Sequence, residues 1–261
     1  MHNLLNVGKS LLLAGLLLPG TTANHSTPAV KNIVLVHGAF ADGSSWSKVI
    51  PLLQSKGFHV TAVGIPLTSF AGDVGATRRI IAAQDGPIIL VGHSYGGVVI
   101  TEAGVDPKVV GLVYVAAFAP DAEQSITDIS AKFPKAPGLS KLTPLSDEFL
   151  LLSPDGIATD FAQDLTPSEK ALISAVQPQT ASSLFNARPT AAAWHDKPSW
   201  YIVAASDRMI APEQERSMAK QIGATTTVVP ASHVVMLSQP GRVAKVISDA
   251  AGLSLAASRN R

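Results

Sequence analysis

Residues 88–98, which read IILVGHSYGGV, decide the fold of this chain. The run 88–91 has the length and branched side chains of a parallel strand covered on both faces, and apolar residues return at helical spacing from Val98. Between them, Ser94 has a glycine two residues before it and another two residues after it. The pattern G-x-S-x-G at a strand-to-helix turn is typical of a nucleophilic serine exposed above a sheet. With 20 glycines in 261 residues the pattern can also arise by chance. Its placement after a strand and before a helix is therefore stronger evidence than the pattern itself.

Apolar strand-like runs alternate with helix-like stretches along most of the chain. This alternation predicts an α/β fold with a mostly parallel sheet of about six strands flanked by helices. The expected strands are 33–36, 59–63, 88–91, 109–115, 200–204 and 226–229. The expected helices are 45–56, 73–83, 98–103, 212–221 and 242–250.

One segment, residues 120–197, interrupts the alternation. At about 78 residues it is too long for a connecting loop in a compact domain, which favours a helical lid. Prolines would open its short helices at 144–152, 154–164 and 167–175. The alternative is that the segment only covers the sheet edge. Together with this insertion, residues 24–261 are predicted to form a single domain.

Residues 1–23 have the features of a signal peptide. Lys9 is their only charged side chain, the apolar core 11–18 is short, and small residues at 21–23 offer a cleavage site. That core is shorter than the roughly 20 residues that a bilayer span needs. We therefore expect export to the periplasm or the medium after cleavage. The alternatives are an uncleaved anchor and a hydrophobic helix packed on the fold.

Charge and cysteine content exclude several classes of function. The formal net charge is +1, and without Lys9 the basic and acidic residues are equal in number. Such a chain has no electrostatic attraction for nucleic acid or for anionic membrane. The absence of cysteine excludes disulfides, a thiol nucleophile and cysteine-ligated metal. No metal or organic cofactor is expected, and the oligomeric state is left open.

A serine hydroxyl is a poor nucleophile until a base activates it and an acid orients that base. His233 lies in the loop after the last expected strand, and Asp207 follows the preceding strand, so the two loops should be neighbours. The chain order Ser94, Asp207, His233 is that of nucleophile, acid and base in α/β-hydrolases. Asp121, which follows another strand, is a competing acid.

Two further histidines have structural interpretations. His37 follows the first strand and would brace its loop, and His93 would point away from any pocket that Ser94 faces. A developing oxyanion also needs two donors. We expect them to be the backbone amides of Ala39 and Tyr95, with Phe40 as the alternative to Ala39.

Four motifs in order resemble the α/β-hydrolase superfamily, within it the small-lid esterases that include plant methylesterases, hydroxynitrile lyases and bacterial relatives. They are VLVHGA at 34–39 followed by Trp46, GHSYGG at 92–97, SDRMIAP at 206–212 and SHVVMLSQP at 232–240. The resemblance covers nearly all of residues 24–261. It implies Ser94 as nucleophile, Asp207 as acid and His233 as base, with the amides of Ala39 and Tyr95 as the oxyanion hole.

Two departures from this group refine the expectation. The superfamily's fuller sheet has two leading strands for which residues 24–32 leave no room, so a six-stranded core is expected. The related lyases carry a lysine directly after the catalytic histidine, where this chain has Val234. Without that charge to stabilise departing cyanide, hydrolysis of carboxylic esters through an acyl-enzyme is the better interpretation.

Other activities stay open at this point. They are a cofactor-free perhydrolase or haloperoxidase, a hydroxynitrile-lyase-like enzyme, and a non-enzymatic ligand receptor on the same fold. For a small-molecule ester we expect an apolar pocket. Its candidate wall residues are Phe40, Phe149, Leu152 and Phe161, with Phe133, Leu142 and Phe185 as further candidates.

Overall fold

The computed structural model describes residues 30–259, with side chains as far as residue 252. The signal peptide expected at residues 1–23 lies outside the described residues. None of the helices within residues 30–259 combines the length and the apolar character that crossing a membrane requires.

Within residues 30–259, nine strands form two sheets. In chain order they are β1 (Asn32–Val36), β2 (His59–Val63), β3 (Ile88–His93), β4 (Val109–Val115), β5 (Leu142–Pro144), β6 (Phe149–Leu152), β7 (Thr180–Ala181), β8 (Ser199–Ala204) and β9 (Thr225–Val229). The main sheet has the order β2-β1-β3-β4-β8-β9, and all of its strands pair in parallel. This confirms the predicted α/β fold and its six-stranded sheet.

Helices connect these strands. They are α1 (Ile50–Gln54), α2 (Phe70–Ala83), α3 (Gly96–Ala103), α4 (Ile126–Ser130), α5 (Pro154–Gly156), α6 (Pro167–Val176), α7 (Pro212–Gln221), α8 (Val235–Ser238) and α9 (Pro240–Arg259). The helix predicted at 45–56 is divided into a 3-10 turn, Gly43–Trp46, and α1. The other four predicted helices of the sheet region are present. α7 has the predicted bounds, α2 and α3 begin a few residues earlier than predicted, and α9 extends further at its carboxyl end.

The core lies on both faces of the main sheet. Every residue of β1, β3 and β8 is buried, whereas the edge strands β2 and β9 are partly exposed. Parallel strands covered by helices on both faces are expected to be apolar throughout. Because all six strands run in one direction, their carboxyl ends meet at a single edge, and the loops that leave this edge build the site.

The segment between β4 and β8 corrects one prediction. Residues 144–152 form no helix: β5 and β6 are antiparallel and form a hairpin, and β7 extends it to a three-stranded sheet. The continuous apolar run 149–152 lacks helical spacing, and a short run of this kind fits a strand equally well. Helical structure does follow at α5, at a π-helical turn over Ile157–Phe161, and at α6.

Candidate active site

Ser94 occupies the sharp turn between β3 and α3. Its φ of 52° lies in the left-handed region, a strained conformation for a residue with a side chain. A Cβ added at Gly92 would come within 2.6 Å of the carbonyl oxygen of Gly96, and one at Gly96 within 2.6 Å of that of His37. Only glycine fits at these two positions, which explains the pattern on either side of the serine.

Asp207 and His233 lie in the loops that follow β8 and β9, which are neighbours in the sheet. His233 Nδ1 donates a hydrogen bond of 2.6 Å to Asp207 Oδ2. Asp207 Oδ1 accepts from the amides of Met209 at 2.7 Å and Ile210 at 3.0 Å, so the carboxylate is held from both sides. The ring nitrogen Nε2 of His233 is left as the acceptor, and His233 and Ser94 line the same cavity.

The competing acid lies elsewhere. Asp121 Oδ1 is 2.9 Å from His195 Nε2, in a pair whose two side chains are both well exposed. The structure therefore brings Asp207, and not Asp121, to His233.

The two other histidines brace backbone around the site. His93 is fully buried, its Nε2 donates to the carbonyl of His233 at 3.1 Å, and the two rings lie 4.7 Å apart. Burial, and then the charge of His233, hold the pKa of His93 well below its usual value. His37 Nε2 accepts from the amide of Ile65 at 3.2 Å, which leaves Nδ1 to donate to the carbonyl of Gly38 at 3.0 Å. Burial lowers the pKa of His37 too, so both rings act as neutral braces.

Ala39 and Tyr95, the two residues expected to supply the oxyanion amides, both line the cavity. Among the residues that the structure describes, the amides of Ala39 and Tyr95 donate to no protein acceptor. The amide of Phe40 is engaged, because it donates to Thr180 Oγ1 at 3.2 Å. The geometry therefore favours Ala39 over Phe40 as the second oxyanion donor.

The cavity over Ser94 has a volume of about 490 Å³ and a mostly apolar wall. Of the seven candidate wall residues, the structure places five at the cavity: Phe40, Phe133, Leu142, Phe161 and Phe185. Phe149 and Leu152 do not line it, which corrects the expectation for these two. Both belong to β6, where strand pairing replaces the predicted helix and packs Leu152 into the core.

Two acids in the segment between β4 and β8, which sequence reasoning missed, hold the loops of Asp207 and His233. Asp160 Oδ1 accepts from Arg208 Nε at 2.5 Å, and Asp164 Oδ2 accepts from the amide of Ser232 at 2.8 Å. Phe161 lies between these two acids in the chain, and its ring is 5.2 Å from that of His233. These contacts join positions 48 and 68 residues apart, and no local pattern in the sequence indicates them.

A buried carboxyl also supports the residue after the serine. Tyr95 Oη donates to Asp73 Oδ2 at 2.7 Å, and the amide of Leu67 donates to Asp73 Oδ1 at 2.8 Å. Burial raises the pKa of Asp73, against the lowering effect of these two bonds. An acid in the first turn of a helix ordinarily faces solvent, so the sequence offered little sign of this role.

Among the described residues, no three histidine, aspartate or glutamate side chains come together in a way that could hold a metal ion. The side chains at the cavity can perform two kinds of chemistry, which are proton transfer at His233 and nucleophilic attack by Ser94.

Residues 33–246 match the model of the alpha/beta hydrolase family, and the chain belongs to this family. A pyrethroid hydrolase of Sphingobium wenxiniae is 28% identical over 254 residues, covering 84% of this chain and 87% of that protein. Methylesterase 2 of Arabidopsis thaliana is 26% identical over 246 residues, covering 80% and 92%. These relatives confirm the resemblance to esterases that the motifs indicated.

The solved structure of polyneuridine aldehyde esterase is similar in fold. Its TM-score is 0.74 at 24% identity, and the match covers 84% of this chain and 98% of that one. At this identity the likeness concerns the fold.

Proposed function

We propose that this protein hydrolyses carboxylic esters through an acyl-enzyme intermediate on Ser94. The observation that carries the proposal is the 2.6 Å hydrogen bond from His233 Nδ1 to Asp207 Oδ2, at a cavity that Ser94 also lines. This bond sets the imidazole in the tautomer whose Nε2 can accept a proton. The esterases among the relatives support the same reaction class.

In the acylation step, His233 Nε2 takes the proton of the Ser94 hydroxyl as the oxygen attacks the ester carbonyl carbon. The negative charge that develops on the carbonyl oxygen is stabilised by the amides of Ala39 and Tyr95. Asp207 stabilises the imidazolium that forms. When the tetrahedral intermediate collapses, the bond to the leaving alcohol breaks and His233 returns the proton to the alcohol oxygen.

In the deacylation step, the same groups act on water. His233 removes a proton from a water molecule, which attacks the acyl carbon bound to Ser94. The second tetrahedral intermediate uses the same two amides. Its collapse breaks the bond to Ser94, returns the proton to the serine oxygen and releases the carboxylic acid.

The substrate proposed for this site is a small ester with at least one apolar group. The cavity offers aromatic and aliphatic walls and few polar groups, which suits an apolar acyl or alcohol part. Val234 is buried directly beside His233 and supplies no charge there. This favours hydrolysis over cleavage that releases cyanide.

The test is turnover of p-nitrophenyl esters of graded acyl length by the purified protein. Ser94→Ala should abolish hydrolysis and labelling by a fluorophosphonate, whereas Ser55→Ala, at an exposed serine, should change neither. Hydrolysis that survives Ser94→Ala would contradict the proposal. Binding of an ester without any turnover would identify a receptor, and hydrogen-peroxide-dependent peracid formation a perhydrolase.

We also propose that the protein works outside the cytoplasm after removal of residues 1–23. The charged, apolar and small-residue sections of this segment support export. Fractionation of expressing cells, with determination of the mature amino terminus, tests it. Full-length protein in the cytoplasmic fraction would contradict it.

A further inference from the structure

A second carboxyl lies buried behind Asp207. Glu215 belongs to α7, which packs on β8, and its side chain is fully buried. Its Oε2 accepts a hydrogen bond of 3.0 Å from the amide of Ala204, the last residue of β8. Its Oε1 has no hydrogen-bond partner among the described residues. A carboxylate in such a place would have an unsatisfied oxygen in an apolar interior, which is unfavourable unless the group is neutral.

Three ionisable groups surround this carboxyl. Asp207 is its acidic neighbour, the phenol of Tyr201 lies close by in β8, and the guanidinium of Arg216 follows it in α7. Tyr201 donates its hydroxyl hydrogen to the carbonyl of Ala117. Burial and then the charge of Asp207 raise the pKa of Glu215 well above its usual value, and the bond from the Ala204 amide and the charge of Arg216 offset this only in part.

We propose that Glu215 is a positioning residue that stays protonated in the folded protein and holds Asp207 in place for His233. The inference rests on the proposed function, since it assigns Glu215 an effect through Asp207. Two carboxyls that share one negative charge form a compact pair, whereas two carboxylates side by side repel each other. The neutral acid also keeps a hydrogen that Asp207 can accept.

A protonated Glu215 also affects the stability of the fold. In the unfolded chain Glu215 titrates near its ordinary value of about 4.3. In the folded chain its pKa is raised, so between the two values the folded state binds more protons than the unfolded state. The contribution of Glu215 to the free energy of unfolding is therefore greatest below its pKa in the unfolded chain. It decreases as the pH rises toward its pKa in the folded chain.

The experiment compares Glu215→Gln, Glu215→Leu and Glu213→Gln, the last at an exposed acid in the same helix. Glutamine keeps the shape, an acceptor for Ala204 and a hydrogen-bond donor, but cannot ionise. We expect kcat of Glu215→Gln to match the parent at neutral pH and to persist at alkaline pH where the parent's falls. Glu215→Leu should lower kcat about 100-fold with KM unchanged, because a small misplacement of a catalytic group has an effect of this size.

Urea unfolding across the pH range gives a readout that needs no catalysis. Glu215→Gln should make the decline in stability with pH shallower by the part that Glu215 contributes, because the part from Asp73 remains. Glu213→Gln should leave the parent's decline unchanged. If the free energy of unfolding declines with pH equally in the parent and in Glu215→Gln, Glu215 is not protonated and the proposal is wrong. This outcome can be read even if Glu215→Leu fails to fold. A loss of kcat in Glu215→Gln at neutral pH equal to that in the leucine variant would also overturn it. Failure of the proposed function shows separately, as turnover that persists in Ser94→Ala.

Discussion

The phenol of Tyr95 donates a hydrogen bond of 2.7 Å to the carboxyl of Asp73, and this bond ties α2 to the residue after Ser94. Asp73 is fully buried, and the amide of Leu67 occupies its other oxygen. Tyr95 lines the cavity over Ser94, so a side-chain bond between positions 22 residues apart holds the residue whose backbone amide we propose as an oxyanion donor.

We expect Tyr95→Phe to lower the free energy of unfolding by about 1–3 kcal/mol, because it leaves a buried carboxyl oxygen without its donor. Tyr114→Phe is the matched control, since that buried hydroxyl bonds to the neutral hydroxyl of Thr101 at 3.0 Å. Its loss should be smaller, about 0.5–1.5 kcal/mol, and should not vary with pH in the acid range. Urea unfolding of the three proteins measures both.

The loss in free energy of unfolding that Tyr95→Phe causes should become larger as the pH rises. The bond from Tyr95 lowers the pKa of Asp73, so its removal raises that pKa further above the unfolded value. A group with a raised folded pKa contributes stability below its unfolded value and loses it as the pH rises through the folded value. Equal deficits at pH 4 and pH 7 would show that the carboxyl is not the group responsible.

Gly38→Ala should lower kcat/KM by about 100-fold or more while the fold is kept. A Cβ at this position would lie 2.6 Å from Cβ of Ser94, so either the serine or the loop that carries Ala39 has to move. Gly43→Ala is the control, because its Cβ would make an ordinary contact of 3.7 Å with Cβ of Ala62. Circular dichroism checks folding, and ester hydrolysis measures the effect. Activity of Gly38→Ala equal to that of Gly43→Ala would contradict the close approach.

The strands of the main sheet could be predicted because both of their faces are buried, which makes each a short, continuous apolar run. In the segment between β4 and β8 the same signal is ambiguous. The run 149–152 suits a helix or a strand, and its strand structure depends on pairing with residues 142–144 and 180–181. Local sequence does not show which distant residues a strand will pair with. Because we expected a helix here, we also expected Phe149 and Leu152 to line the cavity, and they do not.

In the candidate site, too, some residues could be predicted from the sequence and others could not. Ser94, Asp207 and His233 could be predicted to lie near one another because each follows a strand of a parallel sheet, and the strand order brings their loops together. The residues that hold them could not. Asp164 supports the loop of His233 across 68 positions, and Glu215 is indistinguishable in sequence from the exposed Glu213 two residues earlier.

Asp207→Asn should lower kcat by about 10⁴-fold with the protein still folded, since an amide no longer holds the imidazole in its useful tautomer or stabilises its charged form. Asp121→Asn, at the exposed partner of His195, should leave kcat unchanged. Hydrolysis of a short p-nitrophenyl ester measures both. If Asp121→Asn lowered kcat more than Asp207→Asn does, Asp121 would be the acid that supports His233.

Asp164→Ala should lower kcat by freeing the loop of His233. The carboxylate accepts from the amide of Ser232 at 2.8 Å, and a hydrogen bond to a charged group contributes about 1.5–3 kcal/mol. Asp147→Ala removes another exposed acid, from the turn of the β5–β6 hairpin, and should have no effect. A fall in thermal stability without any change of kcat would limit Asp164 to a structural role.

Leu139→Trp should shorten the acyl chains that the protein accepts. Leu139 lines the cavity over Ser94, and a larger ring there reduces the space for the apolar part of an ester. Since one methylene in an apolar pocket changes kcat/KM by about 10- to 200-fold, hydrolysis of long-chain esters should fall far more than that of acetate. Leu145→Trp, at an exposed position of the hairpin, should leave the chain-length profile unchanged. An equal loss for all esters would indicate a disturbed Ser94, and an unchanged profile would place the acyl group outside this cavity.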